Sequence, residues 1–289
     1  MSKIALGTVQ FGIDYGISSS GQVKSKDVAN ILSYAYSQSI VLLDTAPAYG
    51  NCEKVLGRAG VSQFKVVTKT RRFNKAQISL DEVRLVKKDF YRSLKDLNQD
   101  SVYAILVHNA DDLLKPGSQN IFNQLENFKQ EEKVKKIGVS IYDNNQLESI
   151  LENFDVDLVQ LPFNILDKRL IDSGMFSMLK NRGIEVHARS VFLQGLLLMS
   201  QQDRPIHFKQ WNFLWKIWHE WLNDNQITAL EASIRYASSI PEISKVLVGV
   251  ETRGQLKEIM NSSDLTLPNI PKELYTTDVN LLNPQNWKL

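Results

Sequence analysis

Asp44, Tyr49, Lys69 and His108 carry between them a carboxylate, a phenol, an ammonium and an imidazole. A free phenol has a pKa of about 10 and donates protons poorly near neutrality. An ammonium beside it stabilises the phenolate and lowers that pKa. A partly buried ammonium needs a counter-charge, which Asp44 can supply. His108 can then donate a hydrogen bond that orients a carbonyl oxygen towards Tyr49. Together the four suit protonation of an oxygen that becomes an alkoxide while hydride arrives at its carbon. Neither a metal nor a protein nucleophile is required. His108, His187, His207 and His219 show no HxxxH spacing and Cys52 has no CxxC partner, so no dedicated transition-metal site is expected. Cys52 lies close to Tyr49 in sequence but has no neighbours that mark a nucleophile, and a packed helix residue is expected there.

These groups need elements to bring them together. Residues 40–43, IVLL, form an apolar run without polar alternation, as expected of a strand buried on both faces, and Asp44 stands at its tip. Ala46, Pro47 and Ala48 make a stiff turn that delivers Tyr49 beside the strand end. Gly50 frees the backbone and Asn51 is placed to cap a helix over 52–59. Taken alone, the same segment also reads as a helix-capping aspartate and a packed rim tyrosine. Apolar runs at 3–9, 64–68, 102–107, 134–139, 156–161, 184–188 and 245–248 read as further strands. Amphipathic segments at 25–35, 80–97, 121–130, 144–152, 170–181, 227–237 and 253–260 read as helices between them; Val83, Val86, Phe90 and Leu94 make one such stripe. Eight strands, each followed by a helix, imply βα units and a parallel sheet that closes on itself. The alternative, an open doubly wound sheet, is weakened by the absence of GxGxxG after the first strand. The expected fold is therefore α/β, a single (β/α)8 TIM barrel over 1–289. It would carry an extended loop and helix at 191–225 and a tail at 267–289.

The composition agrees with an ordinary soluble globular chain: 289 residues, 43% hydrophobic and 23% charged. Lys and Arg number 34 against 32 Asp and Glu, so no global field favours nucleic acid or an anionic membrane as a partner. MSKIALGTVQFG contains no apolar signal core, no later run is long enough to span a bilayer, and one cysteine fits a reducing compartment. Cytoplasm is expected. The oligomeric state is left open.

In an eight-stranded α/β barrel the chemistry sits at the carboxyl ends of the strands. Those ends here are Thr8, Asp44, Lys69, His108, Ser140, Gln160, Arg189 with Ser190, and Gly249. Charged or hydrogen-bonding groups at nearly every such position point to one shared site.

In their local contexts these residues resemble the aldo-keto reductase superfamily over nearly the whole chain. DTAPAYGNCEKVLG is similar to its DTAxxYGxxExxLG element, VVTKT supplies Lys69, and LVHNAD supplies His108. KKIGVSIY is similar to GVSNF, DLVQLPFN resembles VxQxxYN, and VLVGVETRGQLKEIM resembles the last strand and helix. The resemblance implies an NADP(H)-dependent enzyme reducing an aldehyde or ketone, with Tyr49 as general acid. It implies a cofactor cradle that begins with Gly7 and Thr8 and places Ser140 and Gln160 at the carboxamide. Arg189 would lie against the ring, followed by Ser190, Phe192 and Gly195. Gly249, Arg253, Gln255 and Glu258 would hold the adenosine end, with Arg253 the candidate for the 2′-phosphate and Gln255 supporting it. Three positions depart from the pattern. Ile141 stands where Asn is usual, Arg189 where an aromatic ring often stacks, and Glu251 where Arg is frequent, which leaves NAD(H) open. GTVQFGIDYG, ARSVFLQGLL and NPQNW resemble bacterial members associated with cell-surface polysaccharide and sugar metabolism. They imply a small polar, sugar-like carbonyl substrate, in one version phosphorylated or nucleotide-linked.

Two features keep alternative readings. Trp211, Trp215, Trp218 and Leu222 share a helical stripe that suits either core packing or an aromatic wall for a sugar. Arg71 and Arg72 follow Lys69 as solvated rim charges or as partners of an anionic substrate group. Two other functions compete: a non-catalytic, cofactor-sensing partner subunit on the same barrel, and a lyase or isomerase using Lys69 as a Schiff base.

Overall fold

The structure is a computed structural model that describes residues 2–17, 21–142, 144–262 and 266–287. Strands β1 to β8 are Ile4–Gly7, Leu42–Asp44, Lys65–Lys69, Val102–Val107, Val134–Ser140, Leu158–Pro162, Glu185–Arg189 and Lys245–Gly249. Each pairs in parallel with the next, and β8 closes on β1 to complete a (β/α)8 barrel. Their aliphatic runs are buried on both faces, as a parallel sheet clad in helices requires. The register brings the strand ends level. Gly7 lies opposite Asp44 on one side and Gly249 on the other, and Ser140 lies opposite Gln160. This levelling, rather than any local sequence feature, is what lets residues far apart in the chain meet.

The helices that clad the barrel bury single stripes. Leu80–Leu97 starts from a reciprocal capping box between Ser79 and Glu82 and buries Val86, Phe90 and Leu94. Phe90 stacks on Phe128 of the helix Ser118–Gln130, with ring centroids 4.2 Å apart. The single helix expected over 170–181 is broken. Arg169–Asp172 and Met175–Asn181 are separate because Gly174 takes a left-handed conformation, φ 72°. Asn51 holds the N-cap position of Cys52–Ala59 without capping it, since its Oδ1 accepts from Gln22 Nε2 at 2.7 Å instead.

The excursion after β7 carries the helix Asn212–Asp224, and its tryptophans pack. Trp215 and Trp218 are fully buried and Trp221 nearly so. Their indole N–H groups donate to the carbonyls of Phe208 at 2.9 Å, Leu197 at 3.2 Å and Asn269 at 2.8 Å. Trp211 donates to Asp278 at 2.9 Å. A buried indole must place its N–H somewhere, and these four anchor the excursion to its own loops and to the tail. None of them lines the cavity described below, so the aromatic-wall reading of this stripe gives way to packing. Among the described residues no helix is long and apolar enough to cross a membrane.

Candidate active site

β2 ends in Asp44, β3 in Lys69, and β4 leads directly into His108. Lys69 Nζ donates to both Asp44 oxygens, at 2.7 and 2.6 Å, and to the Thr45 carbonyl at 3.1 Å. It also reaches Tyr49 Oη at 3.3 Å. Gln160 Nε2 donates to Asp44 Oδ1 at 2.6 Å. Asp44 and Lys69 are 4% and 2% exposed, so each charge depends on the other for compensation. Burial disfavours the Lys69 ammonium, but the Asp44 carboxylate and the Tyr49 oxygen more than offset it and leave the pKa above its ordinary value.

Tyr49 differs from expectation. Burial is the largest influence on its phenol and raises the pKa; Lys69 opposes this, Asp44 adds to it, and the net direction is upward. The phenol is therefore a protonated donor at neutral pH, with an ammonium 3.3 Å away for the phenolate that proton loss would create. The His108 ring stands edge-on to Tyr49, centroids 6.1 Å apart and planes at 89°. Burial first, then the charges of Lys69, Arg72 and Arg189, push the His108 pKa down to about 2. Its imidazole is neutral, a hydrogen-bonding group rather than an acid.

Local packing holds the tyrosine. Tyr49 N donates to the Ala46 carbonyl at 3.0 Å, and Cys52 N donates to the Tyr49 carbonyl at 3.1 Å. Gly12, in the loop after β1, packs so tightly on this turn that a Cβ there would overlap the Tyr49 carbonyl and Cys52. Cys52 is fully buried, its Sγ donates to the Thr8 carbonyl at 3.0 Å, and burial pushes its thiol up to about 11. It is a packed thiol and not a nucleophile.

A cavity of about 620 Å³ opens onto these residues. Asp44, Tyr49, Lys69 and His108 line it together with Gly7, Thr8, Ser140 and Gln160. Arg189, Ser190, Phe192, Gly195, Gly249, Gln255 and Glu258 complete the part of the wall expected from sequence. Its size is that of a small-molecule or cofactor site. The donor set fits a nicotinamide dinucleotide: neutral hydroxyls and an amide at Ser140, Ser190 and Gln160, and glycines at Gly7 and Gly249 where the backbone forms the wall. A Cβ at Gly249 would collide with Gln10, whose buried Oε1 has no hydrogen-bond partner and sits in the same wall.

The adenosine-end assignments are less uniform. Arg253 does not line the cavity; its guanidinium carbon lies 5.0 Å from the Tyr34 ring centroid. Gln255 Oε1 accepts from the backbone N–H groups of Glu251 at 2.7 Å and Thr252 at 3.2 Å, closing the start of the helix Arg253–Asn261. Arg189 stacks, but on Tyr142, at 4.3 Å from its centroid, while its Nη2 donates to the Ile141 carbonyl at 2.9 Å. Arg71 and Arg72 separate. Arg71 Nε is tied to Asp89 Oδ2 at 2.5 Å, whereas Arg72 lines the cavity.

Lining residues that escaped the sequence reading include Gln10, Tyr15, Tyr142 and Gln194. Tyr142 follows the β5 end by two residues, a signal that was present in KKIGVSIY. The other three sit in the connections after β1 and β7, Gln10 and Gln194 in short 3-10 helices, with no periodicity to read. Gln194 Nε2 donates to Tyr15 Oη at 3.1 Å, and Ile17 N donates to the Gln194 carbonyl at 3.2 Å, so the loops after β1 and β7 meet at the cavity. Among the described residues no group of three or more His, Cys, Asp or Glu is placed to hold a metal ion.

Comparison with known proteins agrees with this fold. The model of the Aldo/keto reductase family matches residues 3–270. The chain belongs to that family. It is 26% identical over 220 residues to the "NADH-specific methylglyoxal reductase" of Escherichia coli (strain K12), covering 68% of this chain and 65% of that one. It is 23% identical over 203 residues to the "D-arabinose 1-dehydrogenase" of Saccharomyces cerevisiae, covering 64% and 60%. The match thus spans less than two thirds of the length of these relatives. Among solved structures, aldo-keto reductase AKR11C1 from Bacillus halodurans in its holo form superposes with a TM-score of 0.73 at 20% identity, covering 94% of this chain and 89% of that one. Glycerol dehydrogenase AKR11B4 from Gluconobacter oxydans gives 0.71 at 19% identity, covering 92% and 88%. At these identities the superpositions speak for the fold alone.

Proposed function

We propose that the protein is an oxidoreductase that reduces a small polar aldehyde or ketone to an alcohol at the expense of a reduced nicotinamide dinucleotide. The observation that carries this is the Lys69 ammonium, held 2.6 Å from Asp44 and 3.3 Å from Tyr49 Oη on the cavity wall. When bound, the nicotinamide supplies hydride. Tyr49 donates the proton to the carbonyl oxygen, Lys69 stabilises the phenolate left behind, and Asp44 keeps Lys69 charged and aimed. Neutral His108 orients the oxygen. Ser140 and Gln160 would hold the carboxamide and Arg189 would support the nicotinamide end.

At the adenosine end, Glu251 and Glu258 both line the cavity while Arg253 rests on Tyr34. Carboxylates disfavour a 2′-phosphate and suit a ribose 2′-hydroxyl. This arrangement moves the proposal from NADP(H) towards NAD(H), in keeping with the name of the Escherichia coli relative. The names of two relatives, a methylglyoxal reductase and an arabinose dehydrogenase, support a small polar or sugar-like substrate. The Schiff-base reading loses ground because Lys69 stays protonated against Asp44, whereas such a lysine must present a free amine.

The test is fluorescence titration of the purified protein with NADH and NADPH, followed by turnover on methylglyoxal, sugar aldehydes and apolar aromatic ketones. Saturable binding with NADH tighter than NADPH, and turnover favouring the polar carbonyls, is expected. Binding without turnover would favour the sensing role. Tighter NADPH would restore the 2′-phosphate to Arg253.

A further inference from the structure

Three cations face His108 at the reacting end of the cavity, namely Lys69, Arg72 and Arg189. Lys69 is compensated by Asp44. Neither Arg72 nor Arg189 has a carboxylate partner among the described residues. Among the described residues the arginines in ion pairs are Arg71, Arg84, Arg92, Arg169 and Arg235. Arg189 instead spends its guanidinium on the Ile141 carbonyl, the Ser190 hydroxyl and the face of Tyr142. Arg72 and Tyr142 line the same cavity, and Arg72 and Gln285 of the tail both favour the ionised form of the Tyr142 phenol. Tyr142 thus stacks against Arg189 and feels the charge of Arg72. Burial favours its neutral phenol, yet Arg189 and then Arg72 outweigh that and bring its pKa below the ordinary value.

The carboxylates that line the cavity besides Asp44 are Glu251 and Glu258, which follow β8. β4, which leads into His108, lies four strands from β8 in the closed ring. The His108 side of the cavity, with Arg72 after β3, is therefore set apart from these carboxylates, whereas Arg189 ends β7, the neighbour of β8. A dinucleotide along the β7, β8 and β1 side would leave the Arg72 side, after β3, to the substrate. Two guanidiniums with no carboxylate partner among the described residues stand close to a neutral histidine, and an anion beside Arg72 offsets their charge.

We propose that Arg72 and Tyr142, supported by Arg189, form a subsite for an anionic group on the carbonyl substrate, a carboxylate or a phosphate. This rests on the reductase reading and narrows it to a substrate class. The forked guanidinium of Arg72 presents paired donors that match either oxyanion. Arg72 follows Lys69 by three residues, at most about 10 Å of extended chain between their Cα atoms, and both line the one cavity, so a small molecule can meet both. Arg71, which sequence alone could not separate from Arg72, takes no part because Asp89 holds it.

The experiment compares kcat/KM for two matched pairs: succinic semialdehyde against butanal, and D-glyceraldehyde 3-phosphate against D-glyceraldehyde. Wild type is expected to prefer the anionic member by roughly tenfold or more, the range of one charge-assisted hydrogen bond. The pair with the larger ratio identifies the oxyanion. Arg72→Gln should bring that ratio close to one, mainly through KM. Arg72→Lys should keep part of it, and Arg71→Gln should keep all of it. An arm without turnover titrates succinate and inorganic phosphate into wild type and Arg72→Gln by calorimetry. Anion binding that depends on Arg72, without reduction of any aldehyde, would support the subsite and reject the reductase reading. Efficient reduction with equal ratios in wild type and Arg72→Gln would overturn the subsite and leave the reductase reading standing.

Discussion

Asp44→Asn separates the charge of the buried pair from its shape. In the native protein the carboxylate accepts from Lys69 Nζ at 2.7 and 2.6 Å and from Gln160 Nε2 at 2.6 Å. An asparagine offers one acceptor oxygen in place of two and turns an NH2 group towards Lys69 or Gln160, donor against donor. The Lys69 ammonium keeps the Thr45 carbonyl at 3.1 Å and Tyr49 Oη at 3.3 Å but loses its counter-charge at a position only 2% exposed. Removing one partner of such a pair costs about 3–5 kcal/mol. At about 2 °C per kcal/mol for a chain of this size, the melting temperature should fall by roughly 6–10 °C. Urea unfolding followed by tryptophan fluorescence measures the loss as a lower midpoint at constant m-value. Asp44→Asn combined with Lys69→Met removes the stranded ammonium and should recover about half of the loss or more, without recovering activity. A loss under about 1 kcal/mol in the single variant, or a double variant as unstable as the sum of its parts, would refute the coupling argued here.

Two further outcomes follow from the same geometry. Gly12→Ala forces a Cβ into the Tyr49 carbonyl and Cys52, so it should cut turnover through displacement of Tyr49 while leaving dinucleotide affinity close to wild type; unchanged kcat would show that the turn can yield. His108 remains neutral in the folded protein down to about pH 2, whereas the unfolded chain takes up a proton near pH 6.5. Stability is therefore complete above about pH 6.5 and falls as the pH drops towards 2, by roughly 1.4 kcal/mol per unit for this one group; His108→Gln should flatten that part of the curve, and an unchanged slope would assign the acid sensitivity elsewhere.

The barrel was legible because eight aliphatic runs of strand length alternate with amphipathic stripes, and burial on both faces leaves no polar alternation to confuse them. Asp44, Lys69 and His108 were legible for a related reason. A charged residue that ends an unbroken apolar run has few places to be other than a strand mouth. What sequence misread depends on competition between partners. Asn51 looks like a cap until Gln22 takes its oxygen, and Arg253, expected at a phosphate, has the Tyr34 ring as its neighbour here. Ammonium and phenol suggested a lowered pKa at Tyr49, but burial is larger than the Lys69 effect, and burial cannot be read from spacing. The tryptophan stripe was ambiguous because packing and pocket walls use the same residue types. Only the indole partners decide it.

The central claim is that Tyr49 is the proton donor and that the dinucleotide cradle is built from other residues. The most direct measurement is single-turnover reduction of methylglyoxal by the NADH-loaded Tyr49→Phe protein, with NADH affinity measured on the same preparation. The expected result is a rate lower by roughly 10²–10⁴-fold, the usual contribution of a positioned acid. NADH affinity should stay within about twofold of wild type, since one hydrogen bond at most is lost at the rim of the cradle. A wild-type rate of reduction in Tyr49→Phe would contradict the assignment.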